Sequence, residues 1–69
     1  MKLSARNQLK GTVTKVDLGP ISAEVTLDLG GGQTIVAVIT RSSAEAMGLA
    51  VGQTAYAVVK ASSVMVAVD

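Results

Sequence analysis

The chain has 69 residues, a single aromatic side chain (Tyr56), no cysteine, no histidine and a formal net charge of +1 at pH 7. This length allows one domain, residues 1–69, and the missing residue types exclude disulfides, thiolate metal sites and a histidine general base. A core this small rarely gives comfortable stability alone, and a partner subunit is the remaining means of support. The composition therefore predicts a homo-oligomer without metal ligands.

Nothing in the sequence marks export or a membrane span. Lys2, Arg6 and Lys10 interrupt any apolar signal core near the N-terminus. The longest aliphatic runs, residues 35–39 and 64–68, are far shorter than the roughly 18 residues that a membrane helix needs. We therefore expect a cytoplasmic protein with no membrane association.

The first predicted strand covers residues 8–18. Its apolar residues change parity between Val13 and Val16, so that an unbroken strand would point them to opposite faces. A β-bulge near residues 14–15 would return both to one face. Gly19-Pro20 then predicts a turn into the next strand.

The second predicted strand, residues 21–29, alternates strictly between apolar and polar residues, which indicates one buried and one exposed face. The glycine triplet 30–32 predicts a hairpin turn into a third strand at residues 33–40. This third strand is apolar on both faces, and such a strand in so small a domain needs a contact beyond its own core. A subunit interface is the simplest candidate.

A short helix and two more strands complete the predicted fold. Ser42 and Glu45 have capping-box spacing, which predicts a helical turn over residues 44–47 that ends at Gly48. Valine-rich strands follow at residues 54–61 and 64–68. Five strands with one short helix between the third and fourth predict an all-β fold, a small OB-like five-stranded β-barrel.

The acidic residues form no evident catalytic pair. They lie at turns, on an exposed strand face, at the cap or at the terminus, and they are Asp17, Glu24, Asp28, Glu45 and Asp69. The glycine triplet lacks the lysine of a phosphate loop. We therefore expect no enzyme activity, no catalytic residues and no catalytic cofactor. One tyrosine and a nearly balanced charge also argue against binding of single-stranded nucleic acid, which stacks bases on aromatic side chains.

Hydrogen-bond donors and positive charge concentrate in residues 4–8, 40–43 and 60–63. Arg6 and Lys60 together supply the two positive charges that a dianion needs, and hydroxyl and backbone N–H groups supply hydrogen bonds. Each segment taken alone has an ordinary explanation as a helix cap, a turn or a solvated end. Their coincidence in one short chain favours an oxyanion site.

Three segments then resemble a known family. They are SARNQLKGTV, AVITRSSAEAMGLAVGQ and YAVVKASSVMVAVD. In one register over residues 3–68, they resemble the molybdate-binding Mop (TOBE-type) domain, and an isolated chain of this length resembles a molbindin. The resemblance implies an OB-like barrel that binds molybdate or tungstate as intact oxyanions, without direct metal–ligand bonds. It also implies hexamers, arranged as trimers of dimers, that store molybdenum and support its homeostasis inside the cell.

Carried over by motif, the resemblance implies eight oxyanion-binding residues: Ser4, Ala5, Arg6, Thr40, Ser43, Lys60, Ala61 and Ser62. In this assignment Arg6 and Lys60 provide the charge, the serines and the threonine provide hydroxyls, and the alanines provide backbone N–H groups. Residues Ser4 to Arg6 would come from one subunit, and the others from a neighbour. Arg41 matches no ligand position and is expected at the surface. The alternative hypothesis is a protein-interaction or regulatory module whose contacts depend on the ligand.

Overall fold

A computed structural model describes all 69 residues, and it confirms the all-β class. The elements in chain order are β1 (Asn7–Leu18), β2 (Ser22–Gly30), β3 (Gln33–Thr40), α1 (Arg41–Ala46), β4 (Thr54–Val59) and a single 3-10 turn (Ala61–Ser63). The strands form one curled antiparallel sheet in the order β3-β2-β1-β4. Neither α1 nor the 3-10 turn has the length and apolar character needed to cross a bilayer.

The long strand β1 contains the predicted bulge. Val13 pairs with Leu27 and Lys15 pairs with Thr26, so Thr14 is the extra residue. The bulge lets Val13, which is fully buried, and Val16, which packs against the core, face the same side. This change of phase confirms the interpretation of the apolar pattern in the first strand.

The core lies on the inner face of β2, as the strict alternation predicted. Ala23, Val25 and Leu27 are buried there, and Val13 and Ala44 are the only other buried residues of the 69. The turn from β2 to β3 uses positive φ angles at all three of its glycines, a conformation that residues with a Cβ rarely adopt. A core of five side chains is small even for a chain of this length.

Strand β3 has one face toward the core and one face in solvent. Ile35, Ala37 and Ile39 are partly buried, whereas Val36 and Val38 on the outer face are 56% and 70% exposed. The predicted burial of both faces is therefore not achieved within one chain.

The N-cap lies two residues earlier than predicted, and the helix begins at Arg41, three residues earlier. Thr40, not Ser42, is the N-cap, and its hydroxyl oxygen accepts a hydrogen bond from the Ser43 N–H. Strand β3 ends at Thr40, whose extended backbone (φ −69°, ψ 147°) is typical of an N-cap. Glu45 consequently does not close a capping box and pairs with Arg41 one turn back.

The predicted fifth strand does not pair within the chain, so the sheet has four strands and is not a closed barrel. Strand β4 ends at Val59, two residues earlier than predicted, because the chain enters the 3-10 turn. Residues 64–69, called here the C-terminal arm, then run outward and are exposed. The local sequence favours an extended conformation, but no strand of the same chain lies beside it. Strands β3 and β4 are the two edges of the sheet and do not pair with each other.

Candidate functional site

Six of the eight predicted residues belong to the two segments that leave the sheet at the same end, where the β1–β4 ladder stops. The β1–β4 ladder ends with the pair Asn7–Val59, which places Arg6 and Lys60 next to each other just beyond it. Their chain neighbours occupy the same end. This group, called here the cation end, consists of Ser4, Ala5, Arg6, Lys60, Ala61 and Ser62.

The donors of the cation end have few partners within the chain. The one salt bridge of the protein lies elsewhere, between Arg41 and Glu45, so Arg6 and Lys60 have no carboxylate partner. The backbone N–H groups of Ala5 and Ala61 donate no hydrogen bond. The Ala5 carbonyl accepts a hydrogen bond of 3.1 Å from Gln8 Nε2, which ties the N-terminal segment to the start of β1. The cation end therefore offers positive charge and free N–H groups to an external acceptor.

The other two predicted residues lie where β3 meets α1. Thr40 Oγ1 is 2.7 Å from Ser43 Oγ and 3.3 Å from Ser42 Oγ, and it accepts the Ser43 N–H at 3.1 Å. This cluster of Thr40, Ser42 and Ser43, called here the hydroxyl end, is exposed. Because Ser43 Oγ accepts from Thr40 in this arrangement, its own hydrogen remains available to a ligand.

Arg41 lies at the surface, as expected, and its guanidinium is already engaged. Its Nε is 2.6 Å from Glu45 Oε1, and its Nη1 donates to the Gly19 carbonyl at 3.2 Å. Its backbone N–H also donates to the Ile21 carbonyl at 2.8 Å. Arg41 therefore fastens the start of α1 to the β1–β2 turn, and its charge is matched within the chain.

The two ends are far apart in one chain because of the strand order. The cation end adjoins the first residue of β1, whereas Thr40 pairs with Ser22, next to the Leu18–Ala23 pair at the last residues of β1. Eleven steps along β1 at about 3.3 Å each correspond to roughly 36 Å of strand. A single chain therefore does not bring all eight predicted residues into one site.

Neither of the two best-defined surface clefts contains any of the eight residues. The larger cleft, of about 290 Å³, lies at the β2–β3 turn side of the sheet and contains Lys10 but also Asp28. The Asp28 carboxylate accepts the Gly30 N–H at 2.8 Å and would repel an anion. The smaller cleft contains both Asp17 and Glu24. No group of three or more acidic side chains comes together to hold a metal ion.

Two residues near the site, Ser42 and Gln8, belong to the donor-rich segments of the sequence but were not among the eight predicted ligands. The Ser42 Oγ is 3.3 Å from the Thr40 hydroxyl, and Gln8 donates a hydrogen bond to the segment that contains Ala5. A threonine directly before the first helical residue is the signal that could have located the cap. The Gln8 contact spans three residues in an irregular segment and has no comparable sequence signal.

The chain is similar to known proteins in both sequence and fold. The model of the TOBE domain family matches residues 3–66. A probable molybdenum-pterin-binding protein from Haemophilus influenzae is 45% identical over all 69 residues and over its own full length. MopII from Clostridium pasteurianum is 42% identical, with a TM-score of 0.90 over 97% of this chain and 100% of that one. The cytoplasmic molybdate-binding protein ModG, solved with molybdate bound, is 46% identical, with a TM-score of 0.83 over 88% of this chain and 43% of that one.

Proposed function

The chain belongs to the TOBE domain family, and from that premise we propose that it binds molybdate or tungstate as an intact oxyanion. Its role is storage and homeostasis of molybdenum in the cytoplasm, without catalysis. The similarity to a probable molybdenum-pterin-binding protein over the full length, and to ModG, a cytoplasmic molybdate-binding protein, supports this function.

The observation that carries the proposal is the unmatched charge of the cation end. Arg6 and Lys60 lie side by side beyond the last pair of the β1–β4 ladder, and neither has a carboxylate partner. The free N–H groups of Ala5 and Ala61 lie beside them. A dianion bound there has its charge compensated and gains charge-assisted hydrogen bonds, which are roughly twice as strong as neutral ones.

The proposed site is completed by a second copy of the chain. The hydroxyl end supplies Thr40 and Ser43, and it cannot reach the cation end of the same copy because the length of β1 separates them. A site between copies therefore uses the cation end of one and the hydroxyl end of another. A hexamer arranged as a trimer of dimers, as in the molbindins that the sequence resembles, offers such contacts.

Titration calorimetry tests the proposal. The purified protein is titrated with molybdate, tungstate and sulfate in one buffer, and we expect binding of the first two and weaker binding of sulfate. Arg6→Gln and Lys60→Gln each remove one charged donor, and each should weaken molybdate binding by about 10- to 150-fold, corresponding to about 1.5–3 kcal/mol.

Lys15→Gln is the matched control, because Lys15 is an exposed lysine of β1 that pairs with Thr26, away from both ends. It should bind molybdate like the parent. Parent-like binding by both test variants would show that the cation end is not the site. If the parent protein binds none of the three anions, the oxyanion function itself is wrong. Ligand-dependent capture of another protein would then favour the regulatory alternative.

A further inference from the structure

The N-terminal segment, residues 1–6, is attached to the rest of the fold by a single hydrogen bond. Gln8 Nε2 donates to the Ala5 carbonyl oxygen at 3.1 Å, and no other hydrogen bond or salt bridge involves this segment. Apolar packing does not replace such bonds, because Met1 and Leu3 are 75% and 47% exposed. The path of the chain before β1 therefore depends on one side-chain contact.

The other half of the cation end is held by its own backbone. Lys60 directly precedes the 3-10 turn, and the Ser63 N–H donates to the Lys60 carbonyl at 2.9 Å. A second bond of the same kind, 3.2 Å long, follows one residue later. These bonds fix the segment after β4 without any side chain. The segment before β1 has no such turn, and only Gln8 takes its place.

Gln8 is anchored at its base and free at its tip. Its backbone pairs with Val58, one position inside the end of the β1–β4 ladder, whereas its side chain is exposed. A carboxamide has two N–H donors, and one of them holds the Ala5 carbonyl while the other stays available to water. The regular strand thus fixes the starting point of a side chain that reaches back to the irregular segment.

The hydrogen bond sets the orientation of the peptide that joins Ala5 to Arg6. All peptide bonds of the chain are trans, and in a planar trans peptide the carbonyl and the N–H point in opposite directions. With the Ala5 carbonyl turned toward Gln8, the Arg6 N–H points away from Gln8, and it donates to no group of the chain. The same peptide plane directs the start of the Arg6 side chain.

We propose that Gln8 is a positioning residue for the oxyanion site, which holds the Ala5–Arg6 peptide in the orientation that presents Arg6 to the anion. This role rests on the proposed function, since it takes the cation end as the site. Gln8 acts through Arg6 and does not itself contact the anion. A segment that is already fixed loses less conformational freedom when the anion binds, and binding is tighter for that reason.

Gln8→Met tests the role, because methionine keeps the length of the side chain but has no N–H donor. Molybdate affinity, measured by titration calorimetry, should fall about 3- to 10-fold, the range for loss of one hydrogen bond. The midpoint of urea unfolding should stay that of the parent, because the bond lies outside every ladder. Gln33→Met is the matched control, since Gln33 is an exposed glutamine at the start of β3, and it should bind like the parent.

Two further measurements distinguish positioning from a general structural effect. Nitrogen-15 relaxation should give order parameters of about 0.85 for the Ala5 and Arg6 amides of the parent, and values below about 0.6 in Gln8→Met. Gln8→Lys places an ammonium donor within similar reach and should restore the affinity of the parent. That comparison is made in 1 M salt, where a Debye length of about 3 Å screens the added charge.

The outcomes separate this inference from the proposed function. Parent-like molybdate binding by Gln8→Met, or unchanged order parameters of the Ala5 and Arg6 amides, overturns the positioning role and leaves the function intact. Equal losses of affinity in Gln8→Met and Gln8→Lys also overturn it, because the donor is then not the cause. A parent that binds no oxyanion contradicts the function, and the positioning role is then wrong with it.

Discussion

The two ends of the molecule that contain the predicted ligands differ in how many of their polar groups have partners within their own chain. At the hydroxyl end, the Thr40 hydroxyl bonds to both Ser42 and Ser43, and Arg41 beside them is held by Glu45 and the Gly19 carbonyl. At the cation end, Arg6 and Lys60 have no carboxylate partner. The polar groups of the hydroxyl end are therefore hydrogen-bonded within the single chain, whereas the charges of the cation end are unpaired within it.

In the proposed site, this difference would separate two contributions to anion binding. The cation end would compensate charge, which an anion needs before it can leave water. The hydroxyl end presents fixed donors whose geometry a short helix cap maintains, and fixed donors distinguish anions by size and shape. We therefore expect substitutions at the cation end to affect affinity most, and substitutions at the hydroxyl end to affect stability and selectivity as well.

The largest effect is expected for the double variant Arg6→Gln/Lys60→Gln. Loss of both charged donors should weaken molybdate binding by about 150- to 20,000-fold, at about 1.5–3 kcal/mol for each, while the circular dichroism spectrum stays that of the parent. The measurement is titration calorimetry. Lys10→Gln/Lys15→Gln removes the same net charge from β1 and should bind nearly as the parent does. Equal losses in both double variants would mean that overall charge, and not the cation end, attracts the anion.

Thr40→Val should lower both stability and affinity. Valine keeps the shape of the side chain but cannot accept the Ser43 N–H, and loss of an N-cap costs about 1 kcal/mol of unfolding free energy. Molybdate binding should fall by about 10-fold. Urea unfolding at fixed protein concentration and titration calorimetry check the two effects. Thr34→Val, an exposed threonine on β3 opposite Asp28, serves as control. Unchanged stability of Thr40→Val would contradict the cap assignment.

Ser43→Ala should lower affinity alone. Its backbone N–H still donates to Thr40 Oγ1, so the helix cap is retained and the unfolding free energy should change by less than about 0.5 kcal/mol. Loss of one neutral hydroxyl donor should weaken molybdate binding by about 3- to 10-fold. Ser42→Ala removes the neighbouring hydroxyl and should bind as the parent does. If Ser42→Ala weakens molybdate binding and Ser43→Ala does not, the ligand is Ser42 and not Ser43.

Glu45→Gln should have the smallest effect. It breaks the salt bridge with Arg41, but both side chains are about half exposed, at 44% and 56%, and water screens the pair. The unfolding free energy should fall by less than about 0.5 kcal/mol, and the change should vanish in high salt. Molybdate affinity should not change. A clear loss of affinity would show that Arg41 positions the hydroxyl end through its contact with the Gly19 carbonyl.

Features that depend on near neighbours in sequence were predictable. The alternation in residues 21–29 located β2 and its buried face, the parity change located the bulge at Thr14, and the glycine triplet located the hairpin. In each case the physical cause lies within a few residues of the feature. The N-cap was misplaced by two residues because Thr40 and Ser42 are both good caps. Thr40 is the cap because the β2–β3 ladder ends at its pair with Ser22, directly before the first helical residue.

Features that depend on strand order were not predictable. The valines of residues 64–68 favour an extended conformation in any context, but the sequence does not say which edge, or whose, a strand joins. The positions of the predicted ligand residues also depend on strand order. Arg6 and Lys60 meet because β4 pairs with the start of β1, and Thr40 lies elsewhere because β3 is two strands away from β1. The proposed ligand residues were carried over by motif and stay a prediction, whereas their division between two ends required the topology.

In the proposed oligomer, the five-residue core would link the lifetime of this protein to its abundance. A chain that buries so little by itself would gain part of its stability from association, and for a two-chain unit every tenfold dilution removes about 1.4 kcal/mol of that stability. Newly made copies below the association threshold present an extended apolar arm to proteases. A cell that makes few copies would therefore retain almost none of them, whereas one that makes many would accumulate a long-lived pool.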